Sequence, residues 1–344
     1  MNFREEQMMM IANRLVRGIA ICFAVLLLIA VSIPAQQDSF LSPDEYIPVE
    51  RIRPGMRGYC KSTFNGTSIS TFPVTVIGIL KGVDFGMDLI LVRIDGGPVV
   101  TKGWGIVSGM SGSPVYISGK LVGAIAYGWA FSRLPIAGVT PIKCMVDSVA
   151  SPRRERFASL PSTTGTIRLK PVGGDLNLFG KRISSVKLSM SVPLKEASSG
   201  NDEPLLVPIA TPLIVHGMTR FSLERLRKLL QPFAVEPILS PGRPANIRQI
   251  KASLEPGAAV GAQLTCGAVE LTAIGTVTYR KGNLLIAFGH PFLFAGETSM
   301  PLTTAYVHGV LPSQLMSIKL ASPIEVVGAF TQDRAFALGG MVGI

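Results

Sequence analysis

The stretch GMSGSP at residues 109–114 places Ser111 between two glycines and just ahead of a proline, with apolar runs on either side. A serine becomes a nucleophile when its backbone presents the hydroxyl and aims nearby N–H groups at the oxyanion formed on attack. Gly109 lets the turn rotate an N–H outward, Gly112 keeps a side chain out of the approach to Ser111, and Pro114 starts the next strand rigidly. Ser111 is therefore the candidate nucleophile, with the N–H groups of Gly109 and Ser111 as the candidate oxyanion hole; Ser113 is the neighbouring alternative. At neutral pH such a serine needs a base, and the chain offers His216, His290 and His308. His290 ends the apolar run LLIAFGH, where an imidazole at a strand terminus can face a cleft, whereas TPLIVHGM and TAYVHGV give His216 and His308 no such setting. Two aspartates compete to orient the imidazole: Asp95 in LVRIDGG, ahead of the serine, and Asp333 in TQDRAFALGG, after the histidine. Each also has an ordinary role open to it, Asp95 as a turn residue and Asp333 as the partner of Arg334.

Such a site has to be held by strands. TFPVTVIGIL (71–80), LILVRI (89–94), PVYIS (114–118) and LVGAIAYGW (121–129) are β-branched apolar runs bounded by glycines, and Gly119 and Lys120 supply a tight hairpin turn. Residues 42–150 thus read as a β-barrel half that bears the serine. SPRRERFASLPSTTG opens a polar, proline-broken linker over 151–170. Residues 171–255 read as a mixed α/β region, with one helix in SLERLRKLLQ (222–231) capped by Ser222, stopped by Pro232, and apolar along Leu223, Leu226, Leu229 and Leu230. VELTAIGTVTY (269–279) and LLIAFGH restore β character over 256–344, the histidine-bearing half. The terminal GGMVGI, apolar and glycine-rich, leaves that half without an evident closing strand.

The serine segment resembles the nucleophile segment of chymotrypsin-like serine peptidases, in which GDSGGP is followed by a hairpin and a VGIVSWG-like strand; LVGAIAYG holds that place here, and AGVTPIKCMVDSV (137–149) looks like the last strand and terminal helix of such a barrel. Met110 departs from that pattern. The SpoIVB-type family, the sporulation stage IV B peptidase and its relatives, is more similar still, since GMSGSP itself is its serine motif, and GIV (105–107), GKLVGA (119–124) and the histidine stretch TAIGTVTYRKGNLLIAFGH (272–290) fit as well. CGAV (266–269) departs from it where relatives carry an aspartate. The resemblance implies a chymotrypsin-like double β-barrel, mainly β, with the serine and histidine segments in permuted order around the mixed middle region. It implies an endopeptidase in which Ser111 attacks, His290 moves the proton and Asp95 or Asp333 orients it. The strand at Ala126, Tyr127 and Gly128 would pair with extended substrate, and Gly105 would floor the first pocket, with its wall near Gly138. Neither position carries a carboxylate, so the pocket should take an apolar or small residue. The alternative is a non-catalytic envelope scaffold or binding protein that keeps the fold.

Composition bounds the rest. With 344 residues, 47% of them hydrophobic and 16% charged, the chain can bury ample cores. Arg4, Arg14 and Arg17 precede GIAICFAVLLLIAVSI (18–33), which is shorter than the ~20 residues of a spanning helix and suits an export signal over residues 1–35. The expectation is an exported, periplasmic or extracellular protein, its leader removed or retained as an anchor. The net charge of +11 is dispersed and has no interleaved aromatic platform, which points to a basic face toward anionic membrane or envelope material and away from nucleic acid. No CxxC, HExxH or close histidine spacing supports a metal site, and no cofactor is implied; the partner expected is a protein or peptide substrate.

Overall fold

Strands rich in Val, Ile, Thr and aromatic residues dominate the computed structural model, which describes residues 40–82, 87–129, 132, 134–150, 166–178, 180–189, 204–240, 242, 244–313 and 316–343. The expected leader and residues 151–165 of the expected linker lie outside them. The first seven strands are β1 (Arg57–Asn65), β2 (Ser68–Lys81), β3 (Leu89–Ile94), β4 (Val107–Ser108), β5 (Pro114–Ile117), β6 (Lys120–Trp129) and β7 (Ile136–Pro141), with a one-turn helix α1 (Pro98–Thr101) before β4. All but β4 pair antiparallel in the cycle β1-β2-β3-β7-β6-β5-β1, a closed six-stranded barrel. Closure pairs the strands around the ring, which an open sheet of this size cannot do. Val74, Val76, Ile90, Val92, Ile125 and Val139 are among the residues that fill it. Helix α2 (Ile142–Ala150) follows β7, as AGVTPIKCMVDSV predicts, and buries Ile142, Met145 and Val146.

The next strands are β8 (Thr166–Pro171), β9 (Leu176–Leu178), β10 (Lys181–Ile183), β11 (Val186–Ser189) and β12 (Leu205–Pro208). β9 and β10 form a separate hairpin, while β8, β11 and β12 extend the first barrel's sheet from β2 across to β6. Thr166–Pro171, at the end of the stretch read from sequence as linker, is therefore a strand. After β13 (Thr211–His216), α3 (Arg220–Leu230) and β14 (Val235–Leu239) come β15 (Ala259–Thr265), β16 (Glu270–Lys281), β17 (Leu284–Ala287), β18 (Gly296–Leu311), β19 (Ser317–Arg334) and β20 (Ala337–Val342). The last six close in the cycle β16-β15-β18-β19-β20-β17-β16, and β13 and β14 attach to its β16 edge.

The molecule is thus mainly β, built on two six-stranded barrels of the chymotrypsin-like kind, the serine-bearing one first in the chain. Its middle region divides between them: β8–β12 join the first barrel and β13, α3 and β14 the second. β20 supplies the closing strand that the sequence seemed to lack. Its glycines explain the misreading: they weaken β propensity, yet a Cβ at Gly340 would crowd the Ala329 carbonyl, so close packing requires their absence of side chain. The helix starts two residues earlier than expected, because Thr219, in extended conformation, accepts the Ser222 N–H at 3.2 Å and is the cap. Leu223, Leu226 and Leu230 turn inward, but Leu229 is 71% exposed and not on the buried face.

Candidate active site

The serine turn is held by both barrels. Its approach strand β4 leaves the first barrel and pairs in parallel with β19 of the second. At Gly109 and Gly112 φ is +89° and +93°, left-handed values that a residue with a Cβ adopts only under strain. Gly112 has a second reason to be glycine: a Cβ there would strike the Thr276 carbonyl oxygen and the Phe288 amide nitrogen. Its smallness therefore admits the second barrel, rather than substrate as the sequence suggested. From β16, Thr276 donates its N–H to the Ser111 carbonyl at 2.9 Å and its hydroxyl to the Gly109 carbonyl at 3.0 Å, and the Thr278 hydroxyl donates to the Gly112 carbonyl at 2.8 Å. Three polar groups of one strand read three carbonyls of the turn.

This docking brings Ser111 Oγ to 2.6 Å from Nε2 of His290. The histidine follows Phe288 and Gly289, both at positive φ (74° and 82°), so β17 ends at Ala287 and the chain swings inward. Positive φ is costly for phenylalanine; the ring is wedged between Phe292 and Phe330, at centroid distances of 6.4 and 6.0 Å, which holds it there. Nδ1 lies 2.8 Å from the Pro291 carbonyl, and a carbonyl only accepts, so Nδ1 carries the proton. In the neutral ring Nε2 then offers its lone pair to Ser111. The single serine proton has a second acceptor, because the Phe288 carbonyl also contacts Oγ. Burial holds the imidazole below its ordinary 6.5, against backbone hydrogen bonds at Pro291 and Ile209 that favour the charged form.

Neither aspartate meets the imidazole. Asp95 lies at the surface beyond β3, bound to Arg93 Nε at 2.6 Å and Thr75 Oγ1 at 2.5 Å. Asp333 is fully buried and accepts the N–H groups of Phe292, Leu293 and Ala295 at 2.9, 2.8 and 3.0 Å, which folds the loop after His290. Burial raises its carboxyl above the usual range, and those backbone bonds oppose the rise. In place of its ordinary alternative, a pairing with Arg334, Asp333 holds this loop, and Arg334 bonds Gln332 at 2.7 Å. The group that holds the imidazole is a backbone carbonyl, which Asp333 positions only through the loop. His216 is exposed at the end of β13, and His308 bonds Ser322 at 2.8 Å.

One polar group escaped sequence reasoning altogether. Lys319 of β19 is fully buried beside Gly109, with Nζ 3.0 Å from Ser62 Oγ and 3.3 Å from Thr276 Oγ1. Ser62 also accepts from Ser113 at 2.9 Å, so the alternative nucleophile Ser113 points into this network and away from a histidine. Burial depresses the Lys319 ammonium from 10.5 to about 7.

Of the expected substrate residues, Gly105 has φ +67° with open space around it, whereas a Cβ on Gly138 would press on Leu89 and Tyr127. Ala126, Tyr127 and Gly128 lie on β6 and are buried. The serine hydroxyl was expected to be presented for attack and His290 to face a cleft, but Ser111 is 0% exposed and His290 1%. Cys60, Cys144 and Cys266 are free thiols.

Residues 46–135 match the family model described as SpoIVB peptidase S55. The match covers the serine-bearing barrel through β6, supports the SpoIVB-type resemblance, and supports a serine peptidase, a hydrolase. No curated protein and no solved structure matches the chain.

Proposed function

We propose that this chain, whose residues 46–135 match the SpoIVB peptidase family, is an exported serine endopeptidase working through an acyl-enzyme. The observation that carries the reading is the 2.6 Å approach of Ser111 Oγ to His290 Nε2, with the proton on Nδ1 fixed by Pro291. Ser111 attacks the carbonyl of the cut bond while Nε2 takes its proton; the imidazolium then protonates the leaving amine, and water repeats the cycle on the ester. The N–H groups of Gly109 and Ser111 hold the oxyanion. Pro291 does for the imidazole what a carboxylate does in a Ser-His-Asp site, as a dipole in place of a full charge. The serine-first order of the barrels reads as a permutation of the family arrangement, and triads tolerate any chain order. The leader at 1–35 sends the protein to the periplasm or beyond, where its basic surface and, if kept, the leader hold it near anionic membrane.

The test is modification by a serine-directed phosphonate, located by mass spectrometry, together with peptide hydrolysis. Labelling of Ser111 and loss of hydrolysis in Ser111→Ala are expected; undiminished hydrolysis by that variant would overturn the mechanism. Burial of both reacting groups favours one other reading, a scaffold that keeps the fold without turnover. It predicts a chain that no phosphonate labels under any condition.

A further inference from the structure

The edge of β6 on which substrate should lie is already taken. β12 pairs antiparallel with it, Leu206 opposite Trp129, Val207 opposite Gly128 and Pro208 opposite Tyr127. The next residue, Ile209, donates its N–H to the Ala126 carbonyl at 2.9 Å, and its backbone reaches the His290 imidazole. An extended peptide bound for cleavage would run in this direction, pair with these residues and bring its last non-primed residue to this place. The Ile209 side chain is 0% exposed, in one cluster with Val107, Met110, Ala137 and Val139 against which Ile106 also packs, and it lies beside Gly128. Past it, the Ala210 carbonyl accepts the Ser108 hydroxyl at 2.6 Å, three residues before the nucleophile. Side chain, backbone direction and register all agree.

Resting on the peptidase reading, we infer that Leu206–Ile209 is an internal occupant of the substrate groove, with Ile209 filling the first specificity pocket. Two consequences follow from the same contacts. The pocket, walled by Ile106, Val107 and Gly128, is shaped for a branched aliphatic residue, so the substrates are extended peptides with Ile, Val or Leu before the cut bond. A peptide in trans competes with the chain's own strand, whose effective concentration is that of a tethered ligand, and the site stays closed while the strand is docked. The burial of Ser111 and His290 is explained by this occupant rather than by a defect of the site.

The experiment compares the rate at which Ser111 is modified by a small fluorophosphonate in the native chain, Ile209→Ala and Ile209→Gly, with circular dichroism to confirm the fold. Emptying a buried aliphatic pocket weakens docking, and labelling at least about tenfold faster is expected in the variants. A fluorogenic peptide ending Leu-Val-Pro-Ile before its reporter should be cut faster by the same variants. Where the glycine variant fails to fold, the alanine variant carries the comparison. Equal labelling rates in native and variant proteins would overturn the occupant while leaving the peptidase reading in place. Absence of Ser111 labelling in every protein would remove the peptidase reading and this inference with it. Dominant cleavage of a mixed peptide library after Lys, Arg or aromatic residues would overturn the pocket assignment alone.

Discussion

Ser111 and His290 share one proton, so they fail together. Ser111→Ala, His290→Ala and the double variant should each lower kcat by about a thousandfold or more, with the double no worse than either single. Steady-state rates on one peptide check this, and multiplicative losses would show that the pair does not act as a unit. The pH profile carries the sign of burial. Because the imidazole titrates below 6.5, it remains a neutral base into mildly acidic solution, and the acidic limb of kcat/KM should have its midpoint below 6.5. A midpoint at or above that value would mean that a nearby charge, not desolvation, dominates. The aspartates separate cleanly at this scale. Asp95→Asn disturbs a surface pair and should leave kcat within about threefold, since such pairs contribute little. Asp333→Ala strands three backbone donors in the interior and should lower stability by several kcal/mol, at about 1–3 kcal/mol for each unsatisfied group, and lower activity with it. Urea titration and peptide turnover on the same preparations check both.

The serine turn works only as a docked element. β16 offers Thr276 and Thr278 on one face because side chains alternate along a strand, and their hydroxyls meet two turn carbonyls while the Thr276 N–H meets the third. Gly112→Ala inserts a methyl group against the backbone of Thr276 and Phe288 at a φ of +93°. It should cost on the order of 2–4 kcal/mol and slow Ser111 labelling. A urea midpoint equal to that of the native protein would show that the turn relaxes without loss. By contrast α3 contributes chiefly its buried Leu223, and its exposed Leu229 should tolerate substitution.

Across the whole molecule, the two barrels are joined by polar groups that bond from one to the other. Lys319 from the second barrel bonds Ser62 from the first, and Thr63 of β1 donates to the Gly257 carbonyl at 3.0 Å. A lysine that titrates near 7 when folded and near 10.5 when unfolded makes the unfolded chain bind more protons between those values. Stability should therefore rise with pH across that window, by up to ~1.4 kcal/mol per pH unit from this group. Replacement by methionine, which keeps the volume and removes the charge, should flatten that slope in urea titrations from pH 7 to pH 9. A slope unchanged in Lys319→Met would place the titrating group elsewhere.

Much of this was legible in the chain because it is local. GMSGSP declares its turn through glycines that only positive φ requires, LVGAIAYGW and TAIGTVTY declare strands through their β-branched runs, and LLIAFGH puts its histidine where a strand must end. What the tertiary structure alone decided lies in groups without a side-chain signature or with a misleading one. The Pro291 carbonyl that holds His290 is backbone, and every residue has one. In SIKLAS the alternation argues for Ile318 and Leu320 inside and Lys319 outside, yet β19 faces the other barrel and its lysine turns inward. Asp333 was visible as an acid following the histidine in the same half of the chain, but whether it meets an imidazole or three amides depends on a loop path that no spacing encodes. Strand β12 likewise reads as any apolar run; only long-range pairing, which is set by the closure of the first barrel around β6, lays it along Ala126, Tyr127 and Gly128.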